Sequence, residues 1–117
     1  MGPLTGVRIL EFDGLGPVTF AGMMLADMGA QVLRLTRGGA AGGAVFEEVG
    51  GAVLHRGRPA VPVNLKSADD RDAVLHLIAE ADGLIEGFRP GVMERLGLGP
   101  EACAARNPRL VYGRVTG

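Results

Sequence analysis

The sequence has a single cysteine, Cys103, which excludes an intrachain disulfide and any thiolate cluster able to hold zinc or an iron–sulfur centre. A reducing, cytoplasmic setting fits such a chain. No apolar run reaches the roughly 18 residues of a membrane span, and Met1–Gly6 carries no basic region followed by a long apolar stretch. No membrane association is expected. Net positive charge is lacking too: 12 Lys and Arg face 13 Asp and Glu, for a net −1, without the field on which nonspecific nucleic-acid binders rely. The two histidines, His55 and His76, have no neighbours spaced for a catalytic triad or a metal site, so no metal is expected.

What is present is the composition of a folded domain. Of 117 residues, 47% are hydrophobic and 21% charged, and a chain of this length has room for one core, not two. Glycine stands out at 20 residues. It follows no Gly-x-y period, so loops and tight turns must absorb it.

Val7–Phe12 is a short run of branched and aromatic residues that closes on Asp13-Gly14-Leu15-Gly16-Pro17, which predicts a strand, a turn and a helix opened by proline. The helix over Val18–Met28 is apolar in nearly every direction and is expected to be buried on most sides, with Gly29 as its C-cap. Gln31–Thr36 reads as a second strand. Arg37–Pro59 then carries seven glycines among 23 residues, with a short helix expected near Val45–Val49. Ala60–Leu65 reads as a third strand, followed by a helix capped by Ser67 that buries Ala73, Val74, Leu77, Ile78 and Ala81 and leaves His76 in solvent.

Gly83–Glu86 is the fourth strand. Two short helices follow, one ending near Gly97 and one between Pro100 and Asn107, and Leu110–Val115 makes a fifth strand. Strands separated by helices predict an α/β fold, a Rossmann-like open parallel sheet of about five strands with flanking helices. The last strand has no helix after it, so residues 1–117 are expected to be part of a larger domain.

Ligands of such sheets bind beyond the carboxyl ends of the strands. Gly14-x-Gly16 begins a dinucleotide fingerprint, but Thr19 stands where its third glycine belongs. After the second strand Thr36-Arg37 replaces the acidic residue that holds an NAD ribose, which leaves an NADP-binding reductase half-domain as an alternative. Arg37, Arg56, Arg58, Lys66, Arg89 and Arg95 fall near strand ends and suit a polyphosphate. Glu11, Asp13 and Glu86 are the nearest acids. A carboxylate there acts as a base if burial raises its pKa, although Asp13 before Gly14 is expected to serve the turn. Cys103 between alanines reads as a buried small side chain.

Pro3-Leu4-Thr5-Gly6-Val7-Arg8-Ile9-Leu10-Glu11 and Asp27-Met28-Gly29-Ala30-Gln31-Val32 closely resemble the opening of family III CoA-transferases, the group containing α-methylacyl-CoA racemases and carnitine CoA-transferases. Asn64-Leu65-Lys66-Ser67, Ala81–Gly91, Glu94–Gly99 and Asn107–Tyr112 look like further blocks of that family in order. The wording from Phe88 to Arg95 is more similar to the racemase branch. The resemblance implies an acyl-CoA-acting enzyme, with Leu15, Arg37, Lys66, Phe88, Arg89 and Arg95 along the coenzyme A. It implies no catalytic residue in this stretch, since the family's proton-transfer and nucleophilic groups come later in the chain. The expected partners are an acyl-CoA thioester and either a second copy or a C-terminal partner chain. A noncatalytic CoA-binding or assembly module is the alternative. The chain departs from the family at Arg58-Pro59, where many members carry two consecutive basic residues.

Overall fold

In the computed structural model the described residues are 2–14, 17–37 (of Arg37 the backbone alone) and 58–115. The expected helix near Val45–Val49, together with Leu15, His55 and Arg56, lies outside them. The strands are β1 (Arg8–Phe12), β2 (Gln31–Arg37), β3 (Ala60–Val63), β4 (Gly83–Glu86) and β5 (Val111–Arg114). The helices are α1 (Pro17–Asp27), α2 (Ala68–Glu80), α3 (Val92–Arg95) and α4 (Pro100–Arg106).

The sheet has the order β3-β2-β1-β4-β5, and every pairing is parallel. The expected five-stranded α/β sheet is what forms, with β1 at its centre. Leu10 stands between Leu33 of β2 and Leu84 of β4, and the next rung joins Arg34, Glu11 and Ile85. Because side chains alternate across a strand, these rungs belong to opposite faces. Leu10, Phe12, Leu35 and Leu84 pack with Val74 and Ile78 of α2, Met93 of α3 and Cys103 of α4 into the main core. The other face lies under α1, which turns Val18, Thr19, Gly22 and Met23 inward.

Local chemistry sets the helix ends. Ser67 caps α2 by accepting the Asp70 N–H, and Asp69 and Asp70 occupy the first turn, where the helix dipole favours negative charge. The carboxyl end of α2 is closed from a distance: Nδ2 of Asn107 donates to the carbonyls of Ile78 and Ala81 at 2.9 and 2.7 Å. At Gly29 the backbone has φ +101°, and its N–H closes α1 on the Ala26 carbonyl, as a left-handed C-cap requires.

Two expectations about burial need correction. Phe20 and Met24 on α1 and Met28 just after it are 52%, 46% and 37% exposed. Their spacing of four residues gathers them on the face turned from the sheet, so an all-apolar helix keeps one stripe in solvent. On α2 only Val74 and Ile78 are buried, while Ala73 and Leu77 lie at the margin of the sheet and are exposed. His76 is exposed, with Nδ1 2.8 Å from the Asp72 carbonyl oxygen.

Candidate functional site

In a parallel sheet every strand delivers its following residues to the same edge. Here β2 ends on Arg37, β3 is followed by Asn64-Leu65-Lys66, and β4 by Gly87-Phe88-Arg89. The Lys66 turn is built from three side chains. Oδ1 of Asn64 accepts the Lys66 N–H at 3.1 Å, Oδ2 of Asp70 accepts the Asn64 N–H at 2.7 Å, and the Arg71 guanidinium donates to the Leu65 carbonyl at 3.0 Å. Lys66 itself is exposed.

The turn after β4 is fixed by an aromatic contact and a buried acid. Phe88 meets Phe12 edge to face, with ring centroids 6.3 Å apart at 71°, which joins the ends of the two neighbouring strands β1 and β4. Glu86, at the end of β4, is buried and accepts the Phe88 backbone N–H. Its burial raises its pKa, and Arg114, with Nε 3.7 Å from Oε2, opposes that rise. Arg114 also donates to Glu94 at 2.7 Å. That hydrogen bond is the leading reason that the Glu94 carboxyl is held below its usual range and Arg114 above its own.

Arg89 is exposed just beyond Phe88, and Arg95 is exposed at the end of α3. Among the described residues neither Lys66 nor Arg89 forms an ion pair with a carboxylate. The fold thus brings Lys66, Phe88 and Arg89 to the carboxyl edge, with Arg37 as the last residue of β2. Leu15 lies outside the described residues. Exposed cations spread along one sheet edge suit an anion with several charged oxygens.

Arg58 does not belong with these cations. Its guanidinium is enclosed and donates to Oε1 of Glu11 at 2.8 Å and to the Thr19 carbonyl of α1 at 2.9 Å. Oε2 of Glu11 lies 4.0 Å from Nε of Arg34, whose other end donates to Asp13 at 3.0 Å. Arg58 is therefore taken by an internal carboxylate. Asp13 pairs with Arg34, while the turn residues Leu15 and Gly16 expected to meet it lie outside the described residues. Burial pushes the Glu11 carboxyl up to about 7, against the pull of Arg58 and Arg34. It also lowers Arg58, so for both partners desolvation outweighs attraction. Enclosed under α1, Glu11 is a structural acid and not a base facing the edge.

Gly22 makes this arrangement possible. A Cβ there would collide with Oε1 of Glu11 and with the Arg58 guanidinium. Neither Gly22 nor the Glu86–Arg114 pair was singled out from sequence. The available signal was the charge of Glu11, Arg34 and Glu86 inside otherwise apolar parallel strands, where a charge needs a partner.

Cys103 is fully buried, with Sγ 3.3 Å from the Leu98 carbonyl oxygen, and burial raises its thiol pKa. Among the described residues no three His, Cys, Asp or Glu side chains gather as a metal site, and no helix is long and apolar enough to cross a membrane. A cavity of about 370 Å³ lies at the opposite edge of the sheet, against Ile9, Val32, Leu77 and Ala81.

The profile of CoA-transferase family III matches residues 4–117. The α-methylacyl-CoA racemase of Mus musculus is 42% identical over 114 residues, which cover 97% of this chain and 28% of the mouse protein. Rv3272 of Mycobacterium tuberculosis, named a probable fatty acyl-CoA transferase, is 37% identical over 97% of this chain and 31% of its own length. Its crystal structure superposes with a TM-score of 0.88 at 34% identity, over 100% of this chain and 34% of that one. A CaiB/BaiF family protein from Brucella suis gives a TM-score of 0.85 at 28% identity, over 99% of this chain and 34% of that one. The chain therefore spans about a third of the length of the relatives it matches. With its sequence blocks and its five-stranded sheet both shared, this chain belongs to CoA-transferase family III.

Proposed function

We propose that these residues form the CoA-binding portion of an acyl-CoA-acting enzyme of the racemase or transferase type, with the nucleotide and its phosphates lying along the carboxyl edge of the sheet. The observation that carries the proposal is the pair of exposed cations Lys66, just after β3, and Arg89, next to Phe88 just after β4, both free of carboxylate partners among the described residues and both at the carboxyl edge of the sheet. Arg37 and Arg95 extend the cationic edge, and Leu15 is assigned a place beside the ligand. Lys66 acts as a point charge for phosphate, whereas the guanidinium groups can grip two oxygens each. No catalytic residue is assigned within the chain. Racemisation next to a thioester needs one group to remove the proton and another to return it on the opposite face, and transfer needs a nucleophile. Both are assigned to sequence beyond these residues.

Calorimetric titration of the chain with CoA tests this reading. Binding should weaken about tenfold in Lys66→Ala or Arg89→Ala, the scale of one charge-assisted hydrogen bond, and should fall as salt is raised. Absence of CoA binding both by this chain and by a longer protein containing it overturns the proposal.

A second reading, a noncatalytic module that assembles with another chain, draws on the exposed Phe20–Met24–Met28 stripe. Co-purification of this chain with a separately expressed C-terminal portion supports that reading, and its failure at micromolar concentrations counts against it.

A further inference from the structure

Apolar packing does little to fix the turn after β3. The strand is an edge with little burial: Ala60, Val61 and Pro62 are exposed and Val63 is half-buried. In the turn itself Leu65 packs against the main core, while Asn64 and Lys66 are exposed. A segment with so few apolar contacts holds one conformation only where hydrogen bonds impose it.

The direction in which Lys66 leaves the backbone is set by the peptide unit before it. That unit, between Leu65 and Lys66, is a rigid plane with a carbonyl on one edge and an N–H on the other. The Leu65 carbonyl accepts from the Arg71 guanidinium of α2 at 3.0 Å, and the Lys66 N–H donates to Oδ1 of Asn64 at 3.1 Å. The plane is thus gripped from both edges and cannot rotate without breaking a bond. Both grips are anchored in turn. The Asn64 N–H donates to Oδ2 of Asp70 at 2.7 Å, the Asn64 carbonyl accepts the Ser67 N–H at 2.9 Å, and the Arg71 N–H donates to the Ser67 carbonyl at 3.0 Å.

We propose that Asn64 and Arg71 are positioning residues for Lys66: by clamping the Leu65–Lys66 peptide plane from its two edges, they fix where the lysine ammonium is presented and preorganise one cation of the ligand edge. The proposal deepens the CoA reading and rests on it only for the ligand measurements below.

The clamp acts on the lysine and not on the fold. Asn64 is exposed, and among the described residues its hydrogen bonds run only to Lys66, Ser67 and Asp70. Arg71 is half-buried and forms no ion pair with a carboxylate among the described residues, so the Leu65 carbonyl is the partner that places its guanidinium. Loss of either grip lets the plane turn and lowers the fraction of molecules that present Lys66 to the edge, and apparent affinity falls by that fraction. The four-carbon stem of lysine recovers part of the reach. The loss is therefore smaller than that of the charge itself.

Calorimetric titration of this chain with CoA and amide exchange at Lys66 test the clamp. Asn64→Ala leaves the charge of the edge unchanged. It should weaken CoA binding about fivefold in the wild-type and Arg89→Ala backgrounds, but less than about twofold where Lys66→Ala is already present. Equal losses in all three backgrounds overturn the proposal, because Asn64 then acts on the ligand or on the whole edge. An unchanged affinity in the wild-type background overturns it too. Arg71→Ala should follow the same pattern, and a loss that persists beside Lys66→Ala overturns its positioning role and makes the guanidinium a ligand contact.

The exchange measurement needs no ligand. Asn64→Ala should speed exchange of the Lys66 N–H about fivefold or more after correction for intrinsic rates, with the Leu84 N–H of β4 unchanged, and Asn64→Asp, which keeps an acceptor, should restore protection. Equal Lys66 rates in wild type and Asn64→Ala overturn the clamp, as does a failure of Asn64→Asp to restore protection. Unfolding of Asn64→Ala overturns it as well, since the side chain would then hold the fold and not the lysine. If wild type binds no CoA, the functional reading fails and the exchange result alone judges the clamp.

Discussion

Gly22 of α1 lies directly over the carboxylate of Glu11, so the helix approaches the sheet closely at a point where the interface is charged and not apolar. This contact reverses the usual effect of a substitution. Glycine to alanine inside a helix normally stabilises by about 1 kcal/mol, but here the added methyl must displace a buried ion pair, at a cost of several kcal/mol. Gly22→Ala should therefore destabilise by about 2 kcal/mol or more in urea titration. A stabilised variant would show that α1 stands further from β1.

The pH dependence of stability follows from the same acid, with a sign opposite to that of an ordinary surface carboxylate. The folded value, about 7, lies above the ordinary 4.5, so the folded chain binds more protons than the unfolded chain between these limits. Stability from this group is greatest below the lower value and is lost as pH rises toward the upper one. The loss is on the order of 3 kcal/mol, from about 1.4 kcal/mol per pH unit. Urea titrations at pH 5 and pH 7.5 should show that fall in wild type and a much smaller one in Glu11→Gln.

Asn107 closes α2 by donating to the Ala81 carbonyl and to the Ile78 carbonyl, which also accepts the Ala81 N–H at 3.2 Å. Asn107→Ala should cost about 1–3 kcal/mol, or roughly 4–8 °C in melting temperature for each kcal/mol at this size. Thermal melts check it. Asn107→Asp keeps the shape but puts acceptors against acceptors and should be at least as damaging.

Lys66→Ala and Arg89→Ala should separate binding from folding. Both side chains are exposed, so melting temperatures should move little while CoA affinity falls. Parallel losses in both measurements would place the two residues in the framework and not at the ligand.

Most of the framework was legible from residue patterns. Short apolar strands, Ser67 before paired aspartates, and proline at the head of two helices are local signals, and among the described residues each expected strand and helix formed within a few residues of its expected bounds. The face that α1 turns inward was not legible. Phe20, Met24 and Met28 are as apolar as Val18 and Met23, and only the position of the sheet separates them. The pairing of Glu11 with Arg58 was hidden for another reason. The two residues are 47 positions apart, and an arginine meant for a phosphate and one meant for a buried acid look alike in sequence. Asp13 shows the limit of local reasoning: its pairing with Arg34 on the adjoining strand cannot be read from the Asp13-Gly14 turn itself. The positions of Lys66, Phe88 and Arg89 followed from topology alone, since strand ends of a parallel sheet share an edge.

Tyr112 offers an optical handle on this fold. The chain has one tyrosine, no tryptophan and four phenylalanines, so excitation in the phenol band, to the red of phenylalanine absorption, reads a single ring. That ring donates its hydroxyl to the Leu98 carbonyl at 2.8 Å and has the Arg114 guanidinium 5.4 Å from its centroid. The emission therefore reports one event, the seating of β5 against the turn between α3 and α4, without an added label. Burial also delays ionisation of the phenol, so the tyrosinate absorption band serves as a second signal for the same docking under alkaline titration.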